Sequence, residues 1–331
     1  MLNSQTEQGT FMELIRDNYL RGTGTGSTWH VDIDPPTRKV KSYFEETLLT
    51  SEYMYANKTG KLLLMLSGGL DSEYVFRVFQ HLKFEFTPVI VRLMGKHSKR
   101  DYNHADTVQG FKLCNTFNIK PLVIEFDFDK FFDSGEIFDL MHTWHCRGIG
   151  VITLSKIAES LDGFTVMGND PPYMRLNEEL NQWQLEEEEL IHTLLRFYKG
   201  KNLHGCPFLL SYTPEMMLSF LLDPHIADLA NGKHVGRTGT NSTKSYVFNN
   251  GSGFNMDHYD FELAKKVASK EVTNVSMPRY KQNGLEVIIK IPHFYKRIRQ
   301  EMKAVQPGVP LYRGCYKENY HDLVKRLSIH Q

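Results

Sequence analysis

The chain is poor in cysteine, and the cysteines it has are scattered. Four occur in 331 residues, Cys114, Cys146, Cys206 and Cys315. None forms a CxxC pair, which argues against a disulfide framework and for a reduced, cytoplasmic protein. Net charge is also lacking: 39 Lys and Arg balance 39 Asp and Glu, so composition demands neither a nucleic acid nor an anionic membrane as partner. No apolar run approaches the roughly 20 residues that span a bilayer. The first residues, Met1-Leu2-Asn3-Ser4-Gln5, are polar and lack the basic-then-apolar order of a secretory signal. There are no internal repeats.

The most informative stretch is Ser67-Gly68-Gly69-Leu70-Asp71-Ser72, immediately after the apolar run Leu62–Leu66. The run predicts a buried strand. The following segment, Glu73–Leu82, predicts a helix from the spacing of Val75, Phe76, Val78, Phe79 and Leu82. Glycines between a strand and a helix let backbone approach a ligand without a Cβ in the way. The helix N-terminus then points free N–H groups and the positive end of its dipole at that spot, which is a phosphate cradle. Asp71 in such a cradle would repel phosphates unless a cation offsets it, which points to Mg²⁺. The pattern is not a Walker A loop, because no Gly-Lys-Ser/Thr follows. It is not a nucleophile elbow either, because Met65 stands where glycine is required.

From Lys61 onward, strand and helix patterns alternate. Candidate strands are Leu62–Leu66, Pro88–Leu93, Pro121–Phe126 and Phe164–Met167, with helices near Glu73–Leu82, Ala105–Phe117 and Ile149–Leu161. This predicts a parallel sheet with helices on both faces and ligands beyond its C-terminal strand ends, where strand order reverses. The serine-glycine loop lies at one such end and Gly168-Asn169-Asp170 at another. Residues 1–60 form an N-terminal extension with helix patterns near Phe11–Tyr19 and Tyr43–Tyr55, and a glycine-rich connector at 22–27. Residues 61–175 form the ligand-binding domain. Residues 176–331 form a mostly helical extension in which 231–256, rich in Gly, Asn, Ser and Thr, are expected to be a loop or lid. The run Glu186–Glu189 is read as a solvated face. Residues 277–331 hold eleven Lys and Arg against four Asp and Glu, a locally basic tail.

The hexapeptide resembles the PP-loop of the ATP pyrophosphatase superfamily, which cleaves ATP to AMP and pyrophosphate. Three later segments make the chain most similar to the synthetase domain of asparagine synthetase: Leu154-Ser155-Lys156 through Gly168-Asn169-Asp170, Pro207-Phe208-Leu209, and Arg279-Tyr280-Lys281-Gln282-Asn283-Gly284. The resemblance spans roughly residues 60–290. It implies that Ser67, Gly68, Gly69, Leu70, Asp71 and Ser72 hold the ATP phosphates and that Val91, Arg92 and Leu93 face the adenine. Gly168, Asn169 and Asp170 would line the opposite wall, with Asp71 and Asp170 as Mg²⁺ contacts. Lys281 would stabilise the charge that grows as an amine or ammonia attacks an acyl-adenylate. Arg147, before the helix that leads to the fourth strand, is a further phosphate contact suited to bidentate binding.

There are departures from the family. Leu2 stands where its glutaminase domain has a nucleophilic cysteine, and about 60 residues before the loop leave no room for that domain. The nitrogen would come from ammonia, another amine or a separate glutaminase subunit. Asn169-Asp170-Pro171-Pro172 and Leu210 replace acidic-loop and Asp positions, so the small-molecule acceptor need not be aspartate. Two alternatives remain: a tRNA- or nucleobase-modifying PP-loop enzyme, favoured by the basic tail, and a nucleotide-binding protein without catalysis. His142, His145 and Cys146 match no zinc spacing, and buried, inert cysteines are the expectation for Cys146 and Cys206.

Overall fold

The computed structural model describes residues 20–23, 30–97, 101–169, 171–177, 179–187, 189–232, 241–256, 288, 291–305 and 316–328. At the N-terminal side, β1 (Leu20–Thr23) and β2 (His30–Ile33) pair antiparallel, Leu20 opposite Ile33. The glycine-rich connector expected at 22–27 therefore begins inside a strand. Helix α1 (Tyr43–Asn57) is set by a capping box, in which Ser42 accepts from the Glu45 backbone and the Glu45 side chain reaches back. The expected helix at Phe11–Tyr19 lies outside the described residues.

The core is a five-stranded parallel sheet in the order β5-β4-β3-β6-β9. Its strands are β3 (Leu62–Met65), β4 (Thr87–Met94), β5 (Leu122–Asp127), β6 (Phe164–Met167) and β9 (Gly205–Cys206). All four side chains of β3 are buried, as are all four of β6, as strands covered on both faces must be. β3 is followed by α2 (Leu70–His81) and β4 by α3 (His104–Thr116). After β5 come α4 (Phe128–Asp133), α5 (Glu136–Thr143) and α6 (Ile149–Glu159), which return the chain to β6 on the other side of β3. Right-handed crossovers running in opposite directions put helices on both faces. The reversal places the topological switch point between β3 and β6.

The alternation continues past the point where the sequence pattern fades. β7 (Tyr173–Asn177) and β8 (Gln182–Glu187) form a hairpin, joined by β10 (Tyr316–Asn319) into a separate antiparallel sheet. Then α7 (Glu189–Gly200) leads into β9, so the fifth core strand comes from beyond residue 175. It is only two residues long and has no apolar run to announce it.

The remaining elements are helical: α8 (Pro214–Leu221), α9 (Pro224–Ala230), α10 (Asn241–Asn249), α11 (Pro292–Val305) and α12 (Tyr320–Leu327). Residues 215–221 of α8 are all buried, as in a helix surrounded by protein. The Tyr43 hydroxyl donates to the Leu210 carbonyl at 2.7 Å and the Tyr320 hydroxyl to the Leu221 carbonyl at 2.7 Å, tying α1 and α12 to the α8 region. The loop expected over 231–256 is corrected in part. Residues 241–249 form α10, whose Val247 and Phe248 are fully buried; apolar packing overrides the low helix propensity of Asn, Ser and Thr there. No described helix is long and apolar enough to cross a membrane.

Candidate active site

The serine-glycine loop sits at the C-terminal end of β3, the central strand, beside the switch point. Its conformation depends on Gly68, which has φ +80 and whose Cβ, were there one, would stand 2.1 Å from the Asp106 carbonyl oxygen of α3. Only glycine fits. Gly69, at φ −78, is the N-cap of α2, and a Cβ there would meet only Ser67 Oγ at 3.3 Å. The loop is thus clamped by α3 at Gly68 and open at Gly69. Gly69 N–H donates to Ser67 Oγ at 3.3 Å, Ser72 Oγ donates to the Gly69 carbonyl at 3.0 Å, and the two serine hydroxyls lie 3.1 Å apart. The hydroxyls shape the turn, with Ser67 exposed and Ser72 and Leu70 buried. The first-turn N–H groups of α2 have no partners within their own helix, and together with the positive end of the helix dipole they suit an anion.

Gly168, at the end of β6, closes the other wall. A Cβ on it would come within 2.8 Å of the Asp71 carbonyl oxygen and 3.1 Å of Ser72 Cα. Asn169 Nδ2 donates to the Pro207 carbonyl at 2.7 Å. That bond joins the segment after β6 to the segment after β9. Two of the sequence segments that carry the resemblance therefore meet beside the loop. Asp170 and Lys281 lie outside the described residues.

The structure adds a residue that the sequence did not offer. Lys244, on α10, is fully buried, and its Nζ donates to both carboxylate oxygens of Asp71, at 2.7 and 3.0 Å. One turn further along each helix, Phe248 stacks on Tyr74, with centroids 4.2 Å apart and planes 7° apart. α10 is thus fixed to the first turns of α2 by an ion pair and a ring stack. The one signal in the sequence is a lone lysine amid Asn-Ser-Thr-Lys-Ser-Tyr, which no spacing rule picks out.

The expected adenine side is built differently from a bare strand edge. Leu93 N–H donates to Asn103 Oδ1 at 2.9 Å, its carbonyl accepts from Tyr102 N–H at 2.7 Å, and Asn103 Nδ2 donates to the Val91 carbonyl at 2.8 Å. Arg92 is held by Asp101 at 2.9 Å and by Glu125 at 2.5 Å, and these carboxylates raise its pKa. The loop at 101–103 therefore takes up backbone groups of Val91 and Leu93. Arg147 lies buried just before α6, whose N-cap is Gly148.

Beyond this site, a cavity of about 610 Å³ lies at the ends of β4 and β5, ringed by Lys96, Glu125, Asp127, Asp129, Lys130 and Asp133. Its excess of carboxylates makes it a poor phosphate site. His142 Nε2 pairs with Glu301 at 3.0 Å, and Cys146 is buried with its Sγ 3.7 Å from the Gly148 carbonyl. Among the described residues no three His, Cys, Asp or Glu side chains form a metal-binding group.

No family model matches the chain, and no curated protein does. Among solved structures it is similar to NMN synthetase from Francisella tularensis, at 15% identity and a TM-score of 0.28, over 62% of this chain and 90% of that one. The architecture is a parallel five-stranded sheet with helices on both faces and the Ser-Gly-Gly-Leu-Asp-Ser loop at the end of the central strand. The chemistry of the site is carried by this chain's own residues.

Proposed function

We propose that the protein is an adenylating enzyme that cleaves ATP to AMP and pyrophosphate, in the manner of the synthetase domain of asparagine synthetase. The observation that carries this reading is the placement of Asp71 and Lys244 together at the first turn of α2, at the switch point of the sheet. In the proposed reaction an acceptor carboxylate oxygen attacks the α-phosphorus. The bond from that phosphorus to the bridging oxygen breaks, and pyrophosphate leaves with the electron pair. Ammonia or an amine then attacks the acyl carbon, AMP leaves with the original carboxylate oxygen, and the nitrogen loses a proton to give an amide. A separate glutaminase subunit is one source of the ammonia.

The loop residues fit these roles. The α2 N-terminus binds the phosphates, and the open face at Gly69 allows close backbone approach. Mg²⁺ fits a site with one described carboxylate, Asp71, because this ion usually takes one or two carboxylates with substrate phosphates and water completing its shell. It would supply charge neutralisation on the phosphates. Asp170 and Lys281 keep their proposed roles as a second carboxylate and as the cation at the acyl centre.

The test is product analysis with ATP labelled in the α-phosphate, run with pools of carboxylates and amines. Labelled AMP formed in step with pyrophosphate is expected. Labelled ADP would refute adenylation in favour of phosphoryl transfer.

A second reading, a tRNA-modifying enzyme, is favoured by α11. Tyr295, Lys296, Arg299, Gln300 and Lys303 line a groove of about 460 Å³ with no carboxylate among them, a cationic and aromatic surface of the kind that holds a phosphodiester backbone. Binding of bulk tRNA that weakens steeply with salt would favour it, and no binding at low salt would remove it.

A further inference from the structure

Asn103 stands at the N-cap of α3, where an asparagine side chain ordinarily accepts from first-turn N–H groups of its own helix. Here it makes no such bond, and its backbone, at φ −112 and ψ 30, is not in the extended conformation that a capping side chain uses. The carboxamide turns to β4 instead. Its Nδ2 donates to the Val91 carbonyl at 2.8 Å and its Oδ1 accepts from Leu93 N–H at 2.9 Å. Backbone groups of alternate strand residues point the same way, and the Val89 carbonyl accepts from Leu66 N–H at 2.8 Å. Val91 and Leu93 therefore face the β3 side, and Asn103 fills the edge of β4 just where β3 leaves it for the serine-glycine loop. The same residue is tied to that loop. Its carbonyl accepts from Asp106 N–H at 3.0 Å, and the Asp106 carbonyl is the atom that excludes a Cβ at Gly68.

A carboxamide carries an N–H donor and a carbonyl acceptor on one carbon. The Watson–Crick edge of adenine carries the same pair, N6–H and N1, also joined through one carbon. Asn103 thus presents to Val91 and Leu93 the pattern that the base would present. We propose that Asn103 is a gate on the base site: its carboxamide holds the strand edge in place of adenine, and a nucleotide takes that edge by displacing it. This rests on the adenylation reading and adds to it a competition at the base end, away from the phosphates. Asn103 is half-buried, so its side chain has solvent to move into. The segment that carries it stays anchored, because Asp101 accepts from Arg92 Nε at 2.9 Å and lies 3.2 Å from His104 Nδ1. The gate is also selective. Inosine carries O6 and N1–H, the reverse pattern, which sets an oxygen against the Val91 carbonyl and an N–H against the Leu93 N–H. Such a base cannot replace the bonds it would break, and a buried group left unpaired costs more than a paired one gains.

The test is calorimetric titration of adenosine, of inosine, and of inorganic pyrophosphate with Mg²⁺, each into the wild-type protein and Asn103→Ala. The apparent affinity of a gated site is reduced by the fraction of molecules in which the gate is open. Two neutral hydrogen bonds hold this gate, which predicts adenosine binding about 5- to 100-fold tighter in Asn103→Ala. Inosine and pyrophosphate binding should be unchanged. Adenosine binding that is equal or weaker in Asn103→Ala would overturn the gate, the weaker result making Asn103 a support of the base site. An equal gain for inosine would overturn it too, since the edge would then not be read by its donor and acceptor. Pyrophosphate binding without adenosine binding in either protein would overturn the gate and leave adenylation standing. Binding of none of the three ligands by either protein would overturn the adenylation reading itself. Should Asn103→Ala fail to fold, the side-chain amide signals of Asn103 are followed by ¹⁵N NMR in the wild-type protein. Saturating ATP with Mg²⁺ should move them toward those of a free carboxamide, and signals that stay in place would refute the gate.

Discussion

Three glycines around the loop should respond to the same substitution in three different ways. In Gly68→Ala the new Cβ meets a carbonyl oxygen at 2.1 Å, at φ +80. The left-handed conformation costs a non-glycine residue about 1–2 kcal/mol, and forcing a methyl into a packed contact costs about 1–3 kcal/mol more. The sum is about 2–5 kcal/mol. In Gly168→Ala only the packing term applies, since its obstacles are the Asp71 carbonyl at 2.8 Å and Ser72 Cα at 3.1 Å; about 1–3 kcal/mol is expected. In Gly69→Ala the backbone is ordinary, and the loss of a good N-cap residue is set against a smaller unfolded-state entropy, for a net change within about 1 kcal/mol. For a cooperative chain of 331 residues the unfolding entropy is about 0.7 kcal/mol/K. Differential scanning calorimetry should then show Tm falling by about 3–7 °C for Gly68→Ala, about 1–4 °C for Gly168→Ala and about 1 °C or less for Gly69→Ala. Pyrophosphate titration should show the reverse emphasis, with Gly69→Ala weakening binding because its methyl projects on the open side. Gly69→Ala as destabilising as Gly68→Ala, or a neutral Gly68→Ala, would refute the clamped-and-open description of the loop.

Other perturbations follow from the same geometry. Phe248→Ala removes a fully buried ring stacked on Tyr74; a loss of about 3–5 kcal/mol is expected, read by calorimetry as a Tm lower by about 4–7 °C. Cys114, Cys146 and Cys206 are buried, so a thiol reagent at pH 8 should leave them unmodified in the native protein and label them in denaturant, with peptide mapping to assign the sites. Burial pushes the Cys114 thiol up to about 11 from 9.0. Its raised value means the associated stability is present below pH 9 and is lost as pH rises from there toward 11, which alkaline melts of wild type and Cys114→Ala should separate. Glu159 is held below its ordinary value of 4.5 by Lys201 first and then Lys156. That stability is present above pH 4.5 and is lost as pH falls through the lowered value, so Lys201→Met should cost about 0.5 kcal/mol at neutral pH and nothing in strong acid.

The sheet was legible because its strands are apolar runs separated by helices of ordinary period. Phe164–Met167 is the strand expected, and the other three expected strands differ from the observed β3, β4 and β5 by a residue at their ends. The loop was legible because glycine and serine between a strand and a helix have few other uses. β9 escaped because Gly205–Cys206 is too short to show a period and is a strand only through its pairing with Thr165 and Val166. The β7–β8–β10 sheet escaped because β10 joins it from 129 residues beyond β8. α10 escaped because its Asn, Ser and Thr residues favour turns, while what makes it a helix is burial of Val247 and Phe248 and the Lys244 contact. Lys244 shows the general limit: a lone lysine in a polar stretch acquires meaning only when tertiary structure sets it against Asp71.

The most direct test of the account is ATP–pyrophosphate exchange. Labelled pyrophosphate is incubated with ATP, Mg²⁺ and separate pools of carboxylates, amino acids, nucleobases and bulk tRNA. Label entering ATP only when a small-molecule acceptor pool is present, and lost in Asp71→Asn, is the predicted result. No exchange with any pool by a protein that demonstrably binds ATP would contradict the claim that this loop adenylates its substrate.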